Sequence, residues 1–363
     1  MATNLRVGII GVGWGALVHT PAFRAVDGYE VVAICASRPE SVAAASERLG
    51  IADTSTDWAS FVRRDDLDLI SVSAPVQLHH DMFLAALSAG KHVLCEKPLS
   101  LTAAEGRRMA DAAESSDRAT AVCFENRWSP EHDAIRRLVA DGTVGRPSFV
   151  QVTITTGYWH PTHAPQAAWM YRRDVGGGYL MGQMSHEIDF VQSLFGPVTE
   201  VCADVRHQLD RVTTAQGEIE VTADDTSGLL LRLGTGALAV LTNSSAGLGA
   251  STNFFEAHGD HGSIVVGGMA GARGSQVVRV GDESPSPLVP SDRALKSGVD
   301  LPPRRSSMAV RAMALMLEDW LPAFDGRPAD VPTIGDGARV QAVVEAALRS
   351  SAGEGWVQVA EPS

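Results

Sequence analysis

The chain lacks several features that would have pointed elsewhere. It has only four cysteines, Cys35, Cys95, Cys123 and Cys202, and no two of them form a CxxC pair. That spacing argues against a structural zinc centre and against a disulfide framework; reduced, apolar core cysteines are expected. Positive charge is also short. Lys and Arg number 30 against 43 Asp and Glu, a formal net charge of −13. So acidic a chain is a poor general partner for nucleic acid or for an anionic membrane surface. No apolar run reaches the ~18 residues of a membrane span. The opening MATNLRVGIIGVGWGA lacks a basic region followed by a long apolar stretch and a cleavage site. No secretory leader is expected, and the compartment expected is the cytoplasm. Low-complexity tracts and internal repeats are missing too, and core formers are not depleted: 45% of residues are hydrophobic and 20% charged.

What is present alternates. Over residues 1–125, short apolar runs (Leu5 to Ile10, Glu30 to Ala36, Leu67 to Val72, His92 to Cys95, Ala119 to Phe124) are separated by helical patterns. The helices expected are Glu40 to Leu49, His79 to Ala89 and Thr102 to Glu114, with a weak strand and short helix over residues 52–62. This rhythm predicts an α/β domain with a parallel sheet. Past residue 125 it changes. Period-2 segments at Ser148 to Thr155, Val198 to His207, Thr226 to Leu233, Ala237 to Thr242 and Ser263 to Val266 have few helices between them. Residues 126–363 are therefore expected to form a second α/β domain on a large, mostly antiparallel open sheet. Its helices are Pro130 to Asp141, Gly182 to Phe195, Ser306 to Phe324 and Gly335 to Ser350, and the Gly-, Ser- and Pro-rich stretch from Gly271 to Pro303 reads as loop.

Gly11-Val12-Gly13-Trp14-Gly15-Ala16 follows the first strand and opens a helix. It fits the dinucleotide fingerprint, with Ala at the third position. Gly11 suits the tight turn, Gly13 a close approach to pyrophosphate, and Ala16 close helix–strand packing, while the helix N-terminus supplies N–H donors. The second strand ends in Cys35-Ala36-Ser37-Arg38, without the acid that binds a ribose 2′-hydroxyl. Ser37 and Arg38 suit a 2′-phosphate, which favours NADP over NAD. The competing reading is that Ser37 caps the next helix and Arg38 is a solvated first-turn residue. Glu96-Lys97-Pro98 stands at the end of the fifth strand, on the edge where open α/β sheets bind ligands.

These pieces resemble the Gfo/Idh/MocA oxidoreductases, the glucose–fructose oxidoreductase and inositol dehydrogenase group. The resemblance is carried by GIIGVGWGA, by Ala74-Pro75 through Leu78-His79, by AGKHVLCEKPLSLT, by Arg127 with Pro130, by DGTVGRP and by GGGYLMGQMSHEID, in that order along the chain. It implies a Rossmann domain plus an open-sheet domain that serves as an oligomer interface, giving a homodimer or homotetramer. It implies hydride transfer at a hydroxyl or carbonyl of a sugar, sugar derivative or inositol. By the motif, Lys97 and His186 are the catalytic residues. Gly11, Gly13, Trp14, Gly15, Ala16, Ser37, Arg38, Ala74, Pro75, Leu78, His79, Glu96, Lys97 and Arg127 are expected at the cofactor, and Lys97, Tyr158, His160, Trp169, Tyr179, Gln183 and His186 at the substrate.

The chain departs from the family pattern at one place. In the family pattern most relatives carry Asp four residues before the histidine; here that position is Gly182, and Met184 replaces the next glycine. Removing a proton from a carbinol needs a base. With Gly182 that work falls on His186, on Lys97 or on a residue from elsewhere, with Gln183, Tyr179 and Asp189 as supporting candidates. The loss also leaves open a lyase or glycoside-cleaving enzyme that uses tightly held NAD(H) in transient redox steps, and a non-catalytic NADP-binding regulator. His160 and His163 lie three apart across Pro161, without a helical pattern, so no metal is expected there. His258 and His261 flank a glycine turn and read as structural.

Overall fold

A computed structural model describes residues 4–157, 160, 167–214, 217–247, 251–267, 275–282, 284–297 and 305–360. The chain divides into two compact units: Met1–Pro130 with Asp292–Ala338, and Glu131–Ser291 with Arg339–Ser363.

In the first unit, strands β1 (Leu5–Ile10), β2 (Tyr29–Cys35), β3 (Asp53–Ser55), β4 (Leu69–Val72), β5 (His92–Glu96) and β6 (Thr120–Cys123) pair in the order β3-β2-β1-β4-β5-β6. All these pairings are parallel. Helices α1 (Thr20–Arg24), α2 (Pro39–Leu49), α3 (Trp58–Phe61), α4 (His79–Ser88) and α5 (Ala103–Glu114) make the crossovers. A sheet covered on both faces needs uninterrupted apolar strands. In β4 all four residues are buried and three are apolar; the polar one, Ser71, is hydrogen-bonded inside the core. α5 begins at a capping box in which Thr102 and Glu105 satisfy each other's backbone N–H. The strand order reverses between β1 and β4, so the glycine turn after β1 stands at the switch point.

The second unit begins with α6 (Pro130–Ala140) and carries β7 (Pro147–Thr155), α7 (Ser185–Phe195), β8 (Val198–Arg206), β9 (Arg211–Thr214), β10 (Gly217–Glu220), β11 (Thr226–Leu233), β12 (Leu238–Ser244), β13 (Thr252–Gly259), β14 (Gly262–Gly267), β15 (Gln276–Arg279), β16 (Ser286–Pro287) and β17 (Val357–Gln358). Its sheet runs β16-β15-β14-β13-β7-β12-β11-β8-β17, while β9 and β10 form a separate hairpin. Only β12 and β7 pair in parallel; the other neighbours are antiparallel. β7 and β11 alternate buried and more accessible residues, which marks a sheet with one covered face. α7 covers it: its residues Ser185 to Val191 are all buried, and Phe190 meets Phe255 of β13 edge-on at 5.8 Å.

Two helices follow, α8 (Arg305–Trp320) and α9 (Ile334–Arg349). The sequence rhythm divides the chain once, at residues 125 and 126. The structure returns residues 292–338 to the first unit. The cause is packing. Met313, Met316, Leu317 and Trp320 share one buried cluster with Val7, Phe23, Tyr29 and Ile34, and the Tyr29 hydroxyl donates to the Leu317 carbonyl at 3.0 Å. The stretch read as loop contains β15 and β16 within its described residues. The four cysteines are free; three are buried at the ends of β2, β5 and β6. Among the described residues, no helix is long and apolar enough to cross a membrane.

Candidate active site

The glycine turn has the shape a dinucleotide phosphate needs. Gly11 has φ +104°, and a Cβ there would lie 2.1 Å from the Ser73 carbonyl oxygen. Only glycine is tolerated at that position. At Gly13 an added Cβ would meet nothing within 4 Å, so the backbone is open to an approaching ligand. Close packing of turn on strand falls at Gly15 rather than at Ala16: a Cβ on Gly15 would lie 2.9 Å from Ile9 Cγ2, while Ala16 is simply buried. Trp14 stands well exposed beside the turn. Gly15–His19 is a wide, π-type helical turn leading into α1. At the end of β2, the N-cap of α2 is Arg38, not Ser37, and no side chain caps the helix. Arg38 is largely exposed and lies 3.8 Å from Glu40.

The edge formed by β4, β5 and β6 carries a buried polar network. His19 is fully buried; its Nδ1 lies 2.7 Å from Ser71 Oγ on β4, and its Nε2 lies 2.9 Å from Glu96 Oε1 on β5. The other Glu96 oxygen accepts the Lys97 backbone N–H at 2.8 Å. Burial works to raise the Glu96 carboxyl, but the His19 bond and nearby Lys97 and His79 outweigh it and hold it below its ordinary value. Glu125, just past β6, behaves oppositely. Burial, reinforced by the Glu96 charge, pushes it up to about 8. The pair therefore holds one proton near neutrality. Cys123 donates to Glu125 Oε2 at 3.7 Å, and burial pushes its thiol well up. His19, Glu96 and Cys123 place one ligand-type atom each within 4.8 Å of one another, with the histidine and carboxylate already bonded together.

His79 and Glu96, both expected at the cofactor, face inward. His79 Nε2 lies 2.8 Å from the Ala74 carbonyl and its Nδ1 3.0 Å from the Pro98 carbonyl. A neutral ring has one N–H, so it donates to one of them at a time, and burial pushes His79 below its ordinary value. The ring ties the Ala74-Pro75 turn to the Lys97-Pro98 turn. Leu78 is partly exposed beside it. Arg127 is buried, 3.7 Å from Asp336.

In the second unit, Gly182 and Gln183 lie on a wide helical turn, Leu180–Met184, that runs into α7 with His186 at its second position. His186 and Tyr179 are buried. Burial, then the Glu187 charge, pushes the Tyr179 hydroxyl up. Gln183 Nε2 donates to Glu187 Oε1 at 3.3 Å, and His132 of α6 lies 3.8 Å from Glu187 Oε2. The turn is clamped from below by Asp224, whose Oδ2 accepts the Leu180 N–H at 2.7 Å and whose backbone carbonyl accepts the Tyr179 N–H at 3.0 Å. Gly178, φ +110°, is required there, since a Cβ would come 2.3 Å from Asp224 Oδ1. Burial pushes Asp224 up to about 6. Trp169 is half exposed on a short turn, Ala168–Tyr171. His160 follows the turn at Gly157; Tyr158 and His163 lie outside the described residues. His258 bonds Ser263 Oγ at 2.8 Å and His261 the Gly142 carbonyl at 3.3 Å, both structural.

The sequence reading named Lys97, His186 and the glycine turn but missed His19, Ser71, Glu125, Asp224 and Glu187. The adjacent acids Asp224-Asp225 ahead of an apolar strand were a usable signal. His19 gave none, because its partners are distant in the chain.

Both units match family models. Residues 5–124 match the oxidoreductase family with an NAD-binding Rossmann fold, and residues 132–265 the GFO/IDH/MocA C-terminal domain. The chain belongs to the Gfo/Idh/MocA oxidoreductase family. It is an NAD(P)-dependent dehydrogenase or reductase in type. The levoglucosan dehydrogenase of Pseudarthrobacter phenanthrenivorans is 25% identical over 397 residues, covering 99% of each chain. The myo-inositol 2-dehydrogenase of Thermotoga maritima is 28% identical over 261 residues, 72% of this chain and 74% of that one. A solved levoglucosan dehydrogenase in complex with NADH and levoglucosan superposes with a TM-score of 0.87 at 25% identity, over 99% of this chain and 100% of that one. All three bear dehydrogenase names, which favours that reading over the lyase and the regulator.

Proposed function

We propose that this family member moves a hydride between a nicotinamide dinucleotide, NADP ahead of NAD, and a secondary hydroxyl or carbonyl of a sugar, sugar derivative or inositol. The observation that carries the reading is the pairing, on one sheet edge, of an open Gly13 backbone with Lys97 at the end of β5. The residues fit the cofactor: Gly11 holds the turn, Gly13 leaves room, and the helical turn behind presents N–H groups to pyrophosphate. When bound, the nicotinamide accepts or supplies the hydride. His186 removes the hydroxyl proton, a role suited to an imidazole. Lys97 hydrogen-bonds the reacting oxygen and favours developing negative charge on it. Gln183, Tyr179, Trp169, Tyr158 and His160 make the remaining substrate contacts, and the polar pair Gln183 and Glu187 stands next to the vacant carboxylate position at Gly182. Glu96 and His79 serve the cofactor indirectly, by shaping the turns that carry Lys97 and Ala74-Pro75. The preference for NADP rests on Ser37 and Arg38, and on the missing acid at the end of β2. We place the enzyme in the cytoplasm as a homodimer or homotetramer, with neither nucleic acid nor membrane as partner.

Fluorescence titration with NADPH and NADH, followed by a panel of anhydrosugars, inositols and aldoses, tests this. NADPH is expected to bind at least ~10-fold more tightly than NADH, a margin that Arg38→Ala erases. Equal weakening of both cofactors by Arg38→Ala would remove the NADP assignment. Tight binding without turnover across the panel would overturn the substrate class.

A further inference from the structure

His19 lies on the helical turn that follows the phosphate loop, yet its ring reaches neither the loop nor solvent. It spans instead from Ser71 on β4 to Glu96 on β5, at 2.7 and 2.9 Å, with both ring nitrogens engaged. An ionised carboxylate only accepts, so Nε2 donates to Glu96, and in the neutral ring Nδ1 accepts from the Ser71 hydroxyl. The second Glu96 oxygen receives the Lys97 backbone N–H. The turn bearing His19 is itself anchored to the glycine loop: Thr20 Oγ1 donates to the Gly15 carbonyl at 2.9 Å, and Leu17 N to the Gly13 carbonyl at 3.1 Å. A path thus runs from Gly13 by hydrogen bond to the helical turn, along the backbone of that turn to His19, and by hydrogen bonds through Glu96 to the Lys97 backbone. Each side chain along it is buried. Buried hydrogen-bond networks, where water offers no alternative partner, are stronger than exposed ones, and contiguous networks of this kind carry energetic coupling between sites.

We infer that His19 is a positioning residue that couples occupancy of the phosphate loop to the placement of Lys97. The inference rests on the reading of Lys97 as the residue at the reacting oxygen, and extends it: cofactor seated at Gly13 presses on the helical turn, and His19 and Glu96 pass that constraint to the lysine. The groups facing Glu96 are His19 from the turn, Lys97 on its own strand end, His79 from α4, and Cys123 with Glu125 from the β6 end. Among them, His19 alone links Glu96 to the phosphate loop by the bonds described.

The chain has three lysines, Lys91, Lys97 and Lys296. Reductive methylation with ¹³C-formaldehyde therefore yields a sparse spectrum in which Lys97 is assigned by its loss in Lys97→Ala. In the unsubstituted protein, saturating NADPH is expected to move the Lys97 methyl resonance. In His19→Ala that response should fall to less than about a third, while NADPH affinity changes less than about threefold. His19→Gln, whose amide can donate to Glu96 and accept from Ser71, should restore most of it. On a substrate found by the panel, His19→Ala should lower kcat about 10-fold or more. It should add almost nothing in a Lys97→Ala background, because an effect acting through Lys97 disappears with it. A full Lys97 response in His19→Ala, or additive losses in the double variant, overturns the coupling. If His19→Ala does not fold, Ser71→Ala carries the test: it breaks one of the two ring contacts, and an unchanged Lys97 response overturns the inference. Failure of the underlying reading looks different. The Lys97 resonance would then ignore NADPH in the unsubstituted protein, and Lys97→Ala would keep its turnover.

Discussion

At the residue scale, the cofactor turn depends on a carbonyl far away in the sequence. Gly11 sits at φ +104° with the Ser73 oxygen where a Cβ would project, 2.1 Å from it. Gly11→Ala must either twist the turn or push the end of β4 outward. Left-handed backbone strain for a non-glycine residue costs on the order of 1–3 kcal/mol, before the collision is counted. The variant is expected to melt several degrees lower and to bind NADPH at least ~10-fold more weakly, read by calorimetry and fluorescence. Unchanged affinity would show that the loop geometry does not set the phosphate site. Gly11 was legible from spacing alone, because the fingerprint is local. Ser73 and His19 were not, because their roles come from tertiary neighbours. The sequence reading named Glu96 and His79, but it could not show that these side chains turn inward to hold Lys97 and Ala74 rather than outward.

At the element scale, the rhythm of the first 125 residues located five of the six parallel strands as plain apolar runs, while the polar, mostly exposed β3 read only as a weak strand. The open sheet was less legible. β13, Thr252–Gly259, buries Phe255 and Ala257 but puts the apolar Phe254 on the accessible face with Glu256 and His258 and the polar Asn253 in phase with Phe255, so its alternation is blurred. β15 and β16 are short strands inside a Gly- and Ser-rich stretch, held by pairing to β14 rather than by their own composition. The unit to which α8 belongs was also hidden: its apolar stripe says only that the helix packs, not on which sheet. Trp320 decides the point. It is fully buried, 4.8 Å from the Phe324 ring and within the cluster that covers β1 and β2. Trp320→Ala should cost about 3–5 kcal/mol in urea unfolding. A loss below about 1 kcal/mol would mean that α8 is dispensable to the first unit's core.

At the scale of the whole molecule, composition told the truth about charge but not about where charge matters. The net charge of −13 is spread over a surface of screened pairs, such as Arg349 with Glu354 and Arg206 with Asp204, each worth little. Two buried carboxyls act more strongly on stability. Burial pushes Asp224 up to about 6, and burial beside Glu96 pushes Glu125 up to about 8. Both folded-state values lie above those of an unfolded chain, near 4. In the interval between, the folded protein holds more protons than the unfolded one, so stability falls as pH rises. The Asp224 share, on the order of 3 kcal/mol, is lost between about pH 4 and pH 6, and the Glu125 share, on the order of 5 kcal/mol, between about pH 4 and pH 8, both before relaxation. Thermal melts should therefore decline steadily from pH 5.5 to pH 8.5 and level off beyond. Glu125→Gln, which stays neutral in the same place, should flatten that decline across the whole range, leaving only the Asp224 share below about pH 6 and almost no slope above pH 6.5. A melting temperature that rises over this range in the unsubstituted protein, or a slope that Glu125→Gln leaves as steep, would show that Glu125 is ionised in the fold and that the proton held by the pair beneath Lys97 resides elsewhere.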